Sequence, residues 1–207
     1  MAEHYRTQGI ILRKQDIGEA DRIFTVFTQD FGKLRLRAVS ERKITSKLRG
    51  GLELFYLSEI EFIQGKAYKT ITDVAAIQRY AVLRADVERL RVAQRFAEIA
   101  DELLHGQEQD EEIWNLLQET FSILDRPALK GHDLRILAYY FLWKLLASAG
   151  YSPSLDQIVV QDPSIAEFIR LLLRSDSATL QHIDLRGINE ARLREISQEH
   201  LSQILQN

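Results

Sequence analysis

Cysteine is absent from the 207 residues, and that absence removes several chemistries together. A disulfide framework, a thiol nucleophile, an iron–sulfur cluster and a thiolate zinc site are all excluded. Long apolar runs are missing as well. The longest, Ile136 to Trp143, is broken by Lys144 and falls well short of the roughly 20 residues of a spanning helix. The opening stretch, Met1 to Gly9, carries Glu3, His4 and Arg6 and no apolar core. No secretory leader or membrane association is therefore expected, and the reading is of a cytoplasmic protein.

Signs of catalysis are equally sparse. The five histidines (His4, His105, His132, His182 and His200) show no two-ligand spacing such as i, i+4, and no glycine-rich phosphate loop is present. Asp16, Glu19 and Asp21 cluster near a turn, where solvation accounts for them without catalysis or a divalent ion. His132 and Asp133 are neighbours, and adjacent helix positions point in different directions. The expectation is a non-enzyme with no cofactor, no metal and no small-molecule substrate.

What is present is an ordinary globular composition, 45% hydrophobic and 28% charged. A chain of this length buries about 70% of the surface its unfolded form exposes, enough for a core without cross-links. The net charge of −3 hides a division. Residues 1 to 80 hold 14 Lys/Arg against 10 Asp/Glu, and residues 81 to 207 hold 13 against 20. A basic front half suggests a polyanionic partner, and an acidic rear half a solvated scaffold or a surface for other partners.

Hydrophobic patterning changes at the same place. Before residue 80, β-branched and aromatic runs predict five strands: Thr7 to Arg13, Asp21 to Thr28, Lys33 to Val39, Leu52 to Ile63 and Lys66 to Ala75. Gln29-Asp30-Phe31-Gly32 and Gln64-Gly65 supply turns. Five short strands suggest a small closed barrel of the OB-fold kind. After residue 80 the spacing is helical. Leu83, Val87, Leu90, Ala97 and Leu104 form one stripe, and Ile113 to Leu124 and Leu129 to Ala149 predict further helices. The second of these, with Leu134, Leu137, Phe141 and Leu145 in register, reads as the centre of a bundle that Gly150 stops. Asp162-Pro163 caps a helix over Ile165 to Leu173, and Asn189 caps a last one through about Leu205. The predicted class is α+β: an N-terminal five-stranded OB-fold β-barrel, residues 1–79, followed by an all-α helical bundle, residues 80–207.

The chemically loaded segment runs from Lys33 to Arg49. Seven of its seventeen residues are cations and one, Glu41, is an acid. Period 2 sends Leu34, Leu36 and Ala38 to one strand face and Lys33, Arg35 and Arg37 to the other. Beyond Val39 the alternation ends, and Arg42, Lys43, Lys47 and Arg49 occupy a polar stretch closed by Gly50-Gly51, read as a mobile loop. A row of cations beside a cationic arm can track a phosphate backbone without reading sequence. The plain alternative is a solvated strand face, and charge density within a barrel argues against it. Phe24, Phe27, Phe31, Tyr56, Phe62 and Tyr68 could stack on bases, but in so small a barrel most must fill the interior, leaving one or two at most. Five engaged phosphates would give a log–log salt slope of about −3.5 on single strands. The reading requires that these cations be exposed and not paired off internally.

The run Thr7-Gln8-Gly9-Ile10-Ile11-Leu12-Arg13, then Gly18-Glu19-Ala20-Asp21-Arg22-Ile23 leading to Phe27-Thr28, Phe31-Gly32-Lys33-Leu34, and Leu48-Arg49-Gly50-Gly51-Leu52 resembles, in order and spacing, the amino-terminal barrel of the RecO recombination mediators. The helical remainder is similar in layout, including Ala149-Gly150-Tyr151 followed by Pro153 and Leu155. The resemblance implies a protein that binds single- and double-stranded DNA and anneals complementary strands. It further implies action with RecR to load recombinase on DNA coated by single-strand-binding protein, in a nucleoid-associated location. It places the DNA surface on Arg35, Arg37, Arg42, Lys43, Lys47 and Arg49, with Lys33 in the same row and Arg13, Lys14, Arg22 and Lys66 extending the strip.

The resemblance also implies that the helical domain takes the acidic, Phe-ending tail of single-strand-binding protein, for which Lys130, Arg135 and Lys144 are the cations to consider. Many relatives carry a four-cysteine zinc module after the Gly-Tyr-x-Pro-x-Leu segment. Here Leu155 leads through Gln157-Ile158-Val159-Val160 almost directly to Ile165, so no zinc is expected. A reading from another class is a protein-interaction adaptor whose barrel and bundle are docking surfaces, with incidental nucleic-acid binding.

Overall fold

The computed structural model describes residues 3–65, 67–155, 158 and 162–206. They form two compact units, Met1–Arg126 and Pro127–Asn207. The first opens with five strands: β1 (His4–Ile17), β2 (Asp21–Thr28), β3 (Gly32–Ala38), β4 (Leu57–Gln64) and β5 (Lys69–Gln78). They close into a barrel in the order β1-β2-β3-β5-β4, as the OB-fold requires. The β1, β2 and β3 meander and the β4–β5 hairpin are antiparallel, and β1 also pairs with β4. The join between β3 and β5 is parallel and short, with Leu36↔Lys69 and Arg37↔Thr70 in register among the described residues.

Alternation fills the barrel. Phe24, Val26, Leu34, Leu36, Ile60, Phe62 and Ile71 point inward with Ile11 and Leu52, and removal of this apolar area from water is the main stabilising term. A bulge in β1 between Ile11 and Arg13 breaks the period, so that Ile10, Ile11 and Leu12 are all buried.

The fourth predicted strand begins too early. Leu52 to Tyr56 is a turn in which Phe55 takes a left-handed backbone (φ 70°). It is tied to the bulge by Phe55 N donating to Ile11 O (2.8 Å) and Ile11 N donating to Tyr56 O (3.1 Å). Leu52 and Phe55 are buried as plugs, so apolarity here marks core without strand. β5 likewise starts at Lys69 and runs on to Gln78.

Three helices complete the first unit: α1 (Ala81–Ala85), α2 (Val87–Leu103) and α3 (Glu111–Leu124). The single helical stripe expected from Leu83 to Leu104 is broken at Asp86, whose extended backbone ends α1 and whose carboxylate accepts from Glu88 N and Arg89 N to start α2. Val87, assigned to the apolar stripe, is exposed, and Arg89 is buried in its place. The Arg89 guanidinium donates to Leu124 O (2.7 Å) and Arg126 O (2.6 Å), occupying carbonyls that the end of α3 leaves without helical partners.

The second unit contains α4 (Gly131–Ser148), α5 (Pro163–Arg174) and α6 (Glu190–Leu205). Leu134, Leu137, Phe141 and Leu145 are buried, as their register predicts, and so are Ile136, Tyr140, Trp143 and Leu146. Gly150 (φ 85°) ends α4. Its N–H bonds Ala147 O and that of Tyr151 bonds Leu146 O (2.7 Å), the paired closure a glycine beyond the helix permits. Asp162 caps α5 with Pro163 at its first position, and Asn189 caps α6. No helix among the described residues is long and apolar enough to cross a membrane.

Candidate nucleic-acid interface

β3 carries out the expected division of faces. Leu34, Leu36 and Ala38 are fully buried, while Lys33, Arg35 and Arg37 lie on the outer side. The outer row is nevertheless unequal. The Lys33 ammonium turns to Asp101 near the end of α2, donating to its backbone oxygen (2.5 Å) and its carboxylate (3.3 Å). Arg37 forks onto Asp21 (Nε 3.0 Å, Nη2 2.5 Å). Arg35 alone in the row is exposed with no ion pair or hydrogen bond among the described residues.

The flanking cations are neutralised in the same way. Arg13 also reaches Asp101 (3.5 Å), Lys14 pairs with Glu53 (3.0 Å), and Arg22 bridges Asp16 (2.6 Å) and the buried Glu41 (3.1 Å). Arg42 lies 3.6 Å from Asp16 and donates to Gly18 O (3.3 Å). The hydrogen bond from Arg22 holds the Asp16 carboxyl below its ordinary range and raises the Arg22 guanidinium above its own. The expectation that these side chains stand free is corrected: α2 supplies an acid to Lys33 and Arg13, and the barrel with its connecting turns supplies acids to Arg37, Arg42, Lys14 and Arg22. Lys66 lies outside the described residues.

Lys43, Lys47 and Arg49 form no ion pair among the described residues, although Lys43 stands near enough to Asp21 to help hold that carboxyl down. The segment that bears them is not a bare arm. Arg42 N bonds Ala20 O (2.9 Å), Ser46 N bonds Lys43 O (3.0 Å), and Ser46 caps a short 3-10 helix, Lys47–Gly50. Glu41, 1% exposed, anchors its start beneath Arg22. The loop read as mobile is thus tied to the β1–β2 turn by buried and backbone contacts, with its cations facing outward.

Of the six aromatic residues considered for stacking, Phe24, Phe27 and Phe62 are buried, and Phe31 and Tyr56 pack partly against the barrel core. Tyr68 is 42% exposed, and the Arg37 guanidinium lies 6.0 Å from its ring centre. A depression of about 400 Å³ there is lined by Lys33, Arg35, Gln64, Tyr68, Lys69 and Gln107. Lys69, which the strand pattern did not single out, has among the described residues the neutral Gln107 as its side-chain partner (2.9 Å). Its signal was available as the cation that opens β5 beside β3.

The three cations considered for an acidic tail are not brought together. Arg135 and Lys144 are nine residues apart on α4, on opposite sides of a helix with 3.6 residues per turn. Arg135 pairs with Glu190 (3.3 Å). The Lys144 ammonium donates to Leu173 O near the end of α5 (2.8 Å). Lys130 sits before the first turn of α4, its N–H bonded to Asp133 (2.9 Å). No cluster of three metal-ligating side chains occurs among the described residues.

The family models for the N-terminal and C-terminal parts of recombination protein O match residues 1–80 and 84–169. The chain belongs to the RecO family. Curated relatives include DNA repair protein RecO of Dehalococcoides mccartyi, 37% identical over 73% of this chain and 58% of its own. Those of a Nostoc species and a Roseiflexus species are 35% and 34% identical, over 74% and 73% of this chain and 52% of their own. The chain thus spans a little over half the length of these RecO proteins. The relatives bear the name DNA repair protein, and in this chain the two matched regions hold a five-stranded barrel followed by helices.

Proposed function

We propose that the chain is a recombination mediator whose barrel, residues 1–79, binds single- and double-stranded DNA and anneals complementary strands. The observation that carries this reading is the set Arg35, Lys43, Lys47 and Arg49, outward-facing on β3 and the segment after it and making no ion pair among the described residues. Lys33, Arg37, Arg42, Arg13, Lys14 and Arg22 border it as a paired margin. Cations that hold phosphates of two strands lower the repulsion between them, so bases can meet while the protein makes and breaks no covalent bond. The more exposed of these pairs, Arg13 with Asp101 and Arg42 with Asp16, are of the kind worth only about 0.2 to 1 kcal/mol, so phosphates can draw those cations in as secondary contacts. Family membership supports RecR, DNA coated by single-strand-binding protein, and that protein's acidic tail as partners, and nucleoid association as the setting.

The test is a salt titration of fluorescent-oligonucleotide binding. Four phosphate contacts give a log–log slope of about −2.8 on single strands, shallower than the −3.5 expected for five. Charge reversal at Arg35, Lys43, Lys47 and Arg49 should abolish DNA binding and leave RecR binding intact. A flat salt response, or loss of RecR binding with DNA binding retained, rejects the mediator reading in favour of an adaptor.

A further inference from the structure

We infer that Tyr68 is a stacking platform for one unpaired nucleobase and gives the barrel surface a preference for single strands. The inference rests on the DNA-binding reading above and assigns it a specific subsite. Phosphate contacts alone treat single and double strands as charged lines and do not distinguish them by base. Discrimination requires a group that only an unstacked base can meet, and an aromatic face is the usual one.

Tyr68 is the exposed member of the six barrel aromatics considered, its neighbours in the pattern being core or partly core. Its position is also electrostatically suited. The depression beside it holds Arg35, without an acid, and Lys69, whose partner is neutral. Lys33 lies at the same rim, and the Arg37 guanidinium sits 6.0 Å from the ring centre, at the limit of a cation–π contact. The volume, about 400 Å³, lies in the range of small-ligand sites and admits one nucleotide. A strand that runs along Arg35 toward Lys69 passes the ring, and a base turned inward meets it. In a duplex that base is paired and stacked, and turning it out costs a few kcal/mol.

The experiment compares the full chain with its Tyr68→Ala and Tyr68→Phe variants, each checked for fold by circular dichroism. The probes are an oligothymidylate bearing a single 2-aminopurine, and a duplex of mixed sequence. Tyr68→Ala should weaken single-strand binding about tenfold, the effect of losing one stacked base. It should also lose the fluorescence quenching of 2-aminopurine and leave duplex binding within about twofold. Tyr68→Phe should behave as the parent. Equal loss on both probes, no loss on either, or a Tyr68→Phe defect as large as that of Tyr68→Ala overturns the inference. The double variant Arg35→Glu, Lys43→Glu separates the two levels. If it keeps full binding to both probes, the DNA-binding reading fails as well; if it loses both while Tyr68→Ala is silent, only the stacking subsite fails.

Discussion

Asp21, the first residue of β2, accepts two hydrogen bonds from the Arg37 guanidinium and one from the backbone N–H of Ser40 (2.7 Å). One carboxylate therefore fixes both the last cation of β3 and the point where the cationic segment leaves the sheet. Ser40 itself takes a left-handed backbone, φ 54°, which the bond to Asp21 helps to hold.

This contact predicts an acid-sensitive tie. The Ser40 N–H, and then Arg37, hold the Asp21 carboxyl below its ordinary range. A depressed carboxyl contributes stability that is complete above its unfolded value, about 3.9, and is lost as pH falls through the lower folded value. The Asp21→Asn variant should cost about 1 to 2 kcal/mol at neutral pH. Thermal unfolding between about pH 5 and pH 2 should show its disadvantage shrinking as acid protonates the parent.

Asp101 predicts the opposite sign for DNA. It occupies both Lys33 and Arg13, and a phosphate must compete with it for them. The Asp101→Asn variant keeps the shape and removes the charge. Single-strand affinity at low salt should rise severalfold, and the salt slope should steepen by roughly 0.7 for each cation recruited. An unchanged or shallower slope would mean these cations never meet phosphate.

Arg89 tests a purely structural role. It is 5% exposed and satisfies the carbonyls of Leu124 and Arg126. Arg89→Met leaves those acceptors buried and should destabilise the first unit by about 3 kcal/mol, read as a lower urea midpoint with DNA contacts untouched.

Gly32 joins β2 to β3 with φ 58°, and a Cβ there would collide with the Glu108 backbone oxygen. Gly32→Ala should therefore cost about 1 to 3 kcal/mol. It should also displace the segment carrying Gln107, the partner of Lys69, and so weaken binding at the Tyr68 depression in the same titration.

The parts of this molecule legible in its sequence are those set by local periodicity. Leu34, Leu36 and Ala38 alternate with cations, and a pleated strand can only place them on opposite faces. The caps Asp162 and Asn189 act within their own turns. Asp86 carries the same signal, an acid ahead of Val87-Glu88-Arg89, but an apolar stripe that runs across it masks the break. The ion pairs were not legible. Lys33 meets an acid 68 positions away and Lys14 one 39 positions away, so tertiary folding alone decides which cations of a basic strand stay available. The same holds for Leu52 and Phe55, whose apolarity is that of a strand and whose backbone is that of a turn.

Among the described residues two pairs knit β3 to β5. A cylinder opens first along its thinnest weld, and whichever amides of the Leu36–Arg37 and Lys69–Thr70 steps donate across it should exchange with deuterium ahead of those in the other strand joins. Because Arg35 and Lys69 stand on either flank of that weld, whatever bridges them also clamps the cylinder shut, and ligand occupancy should register as slower exchange there before any change elsewhere.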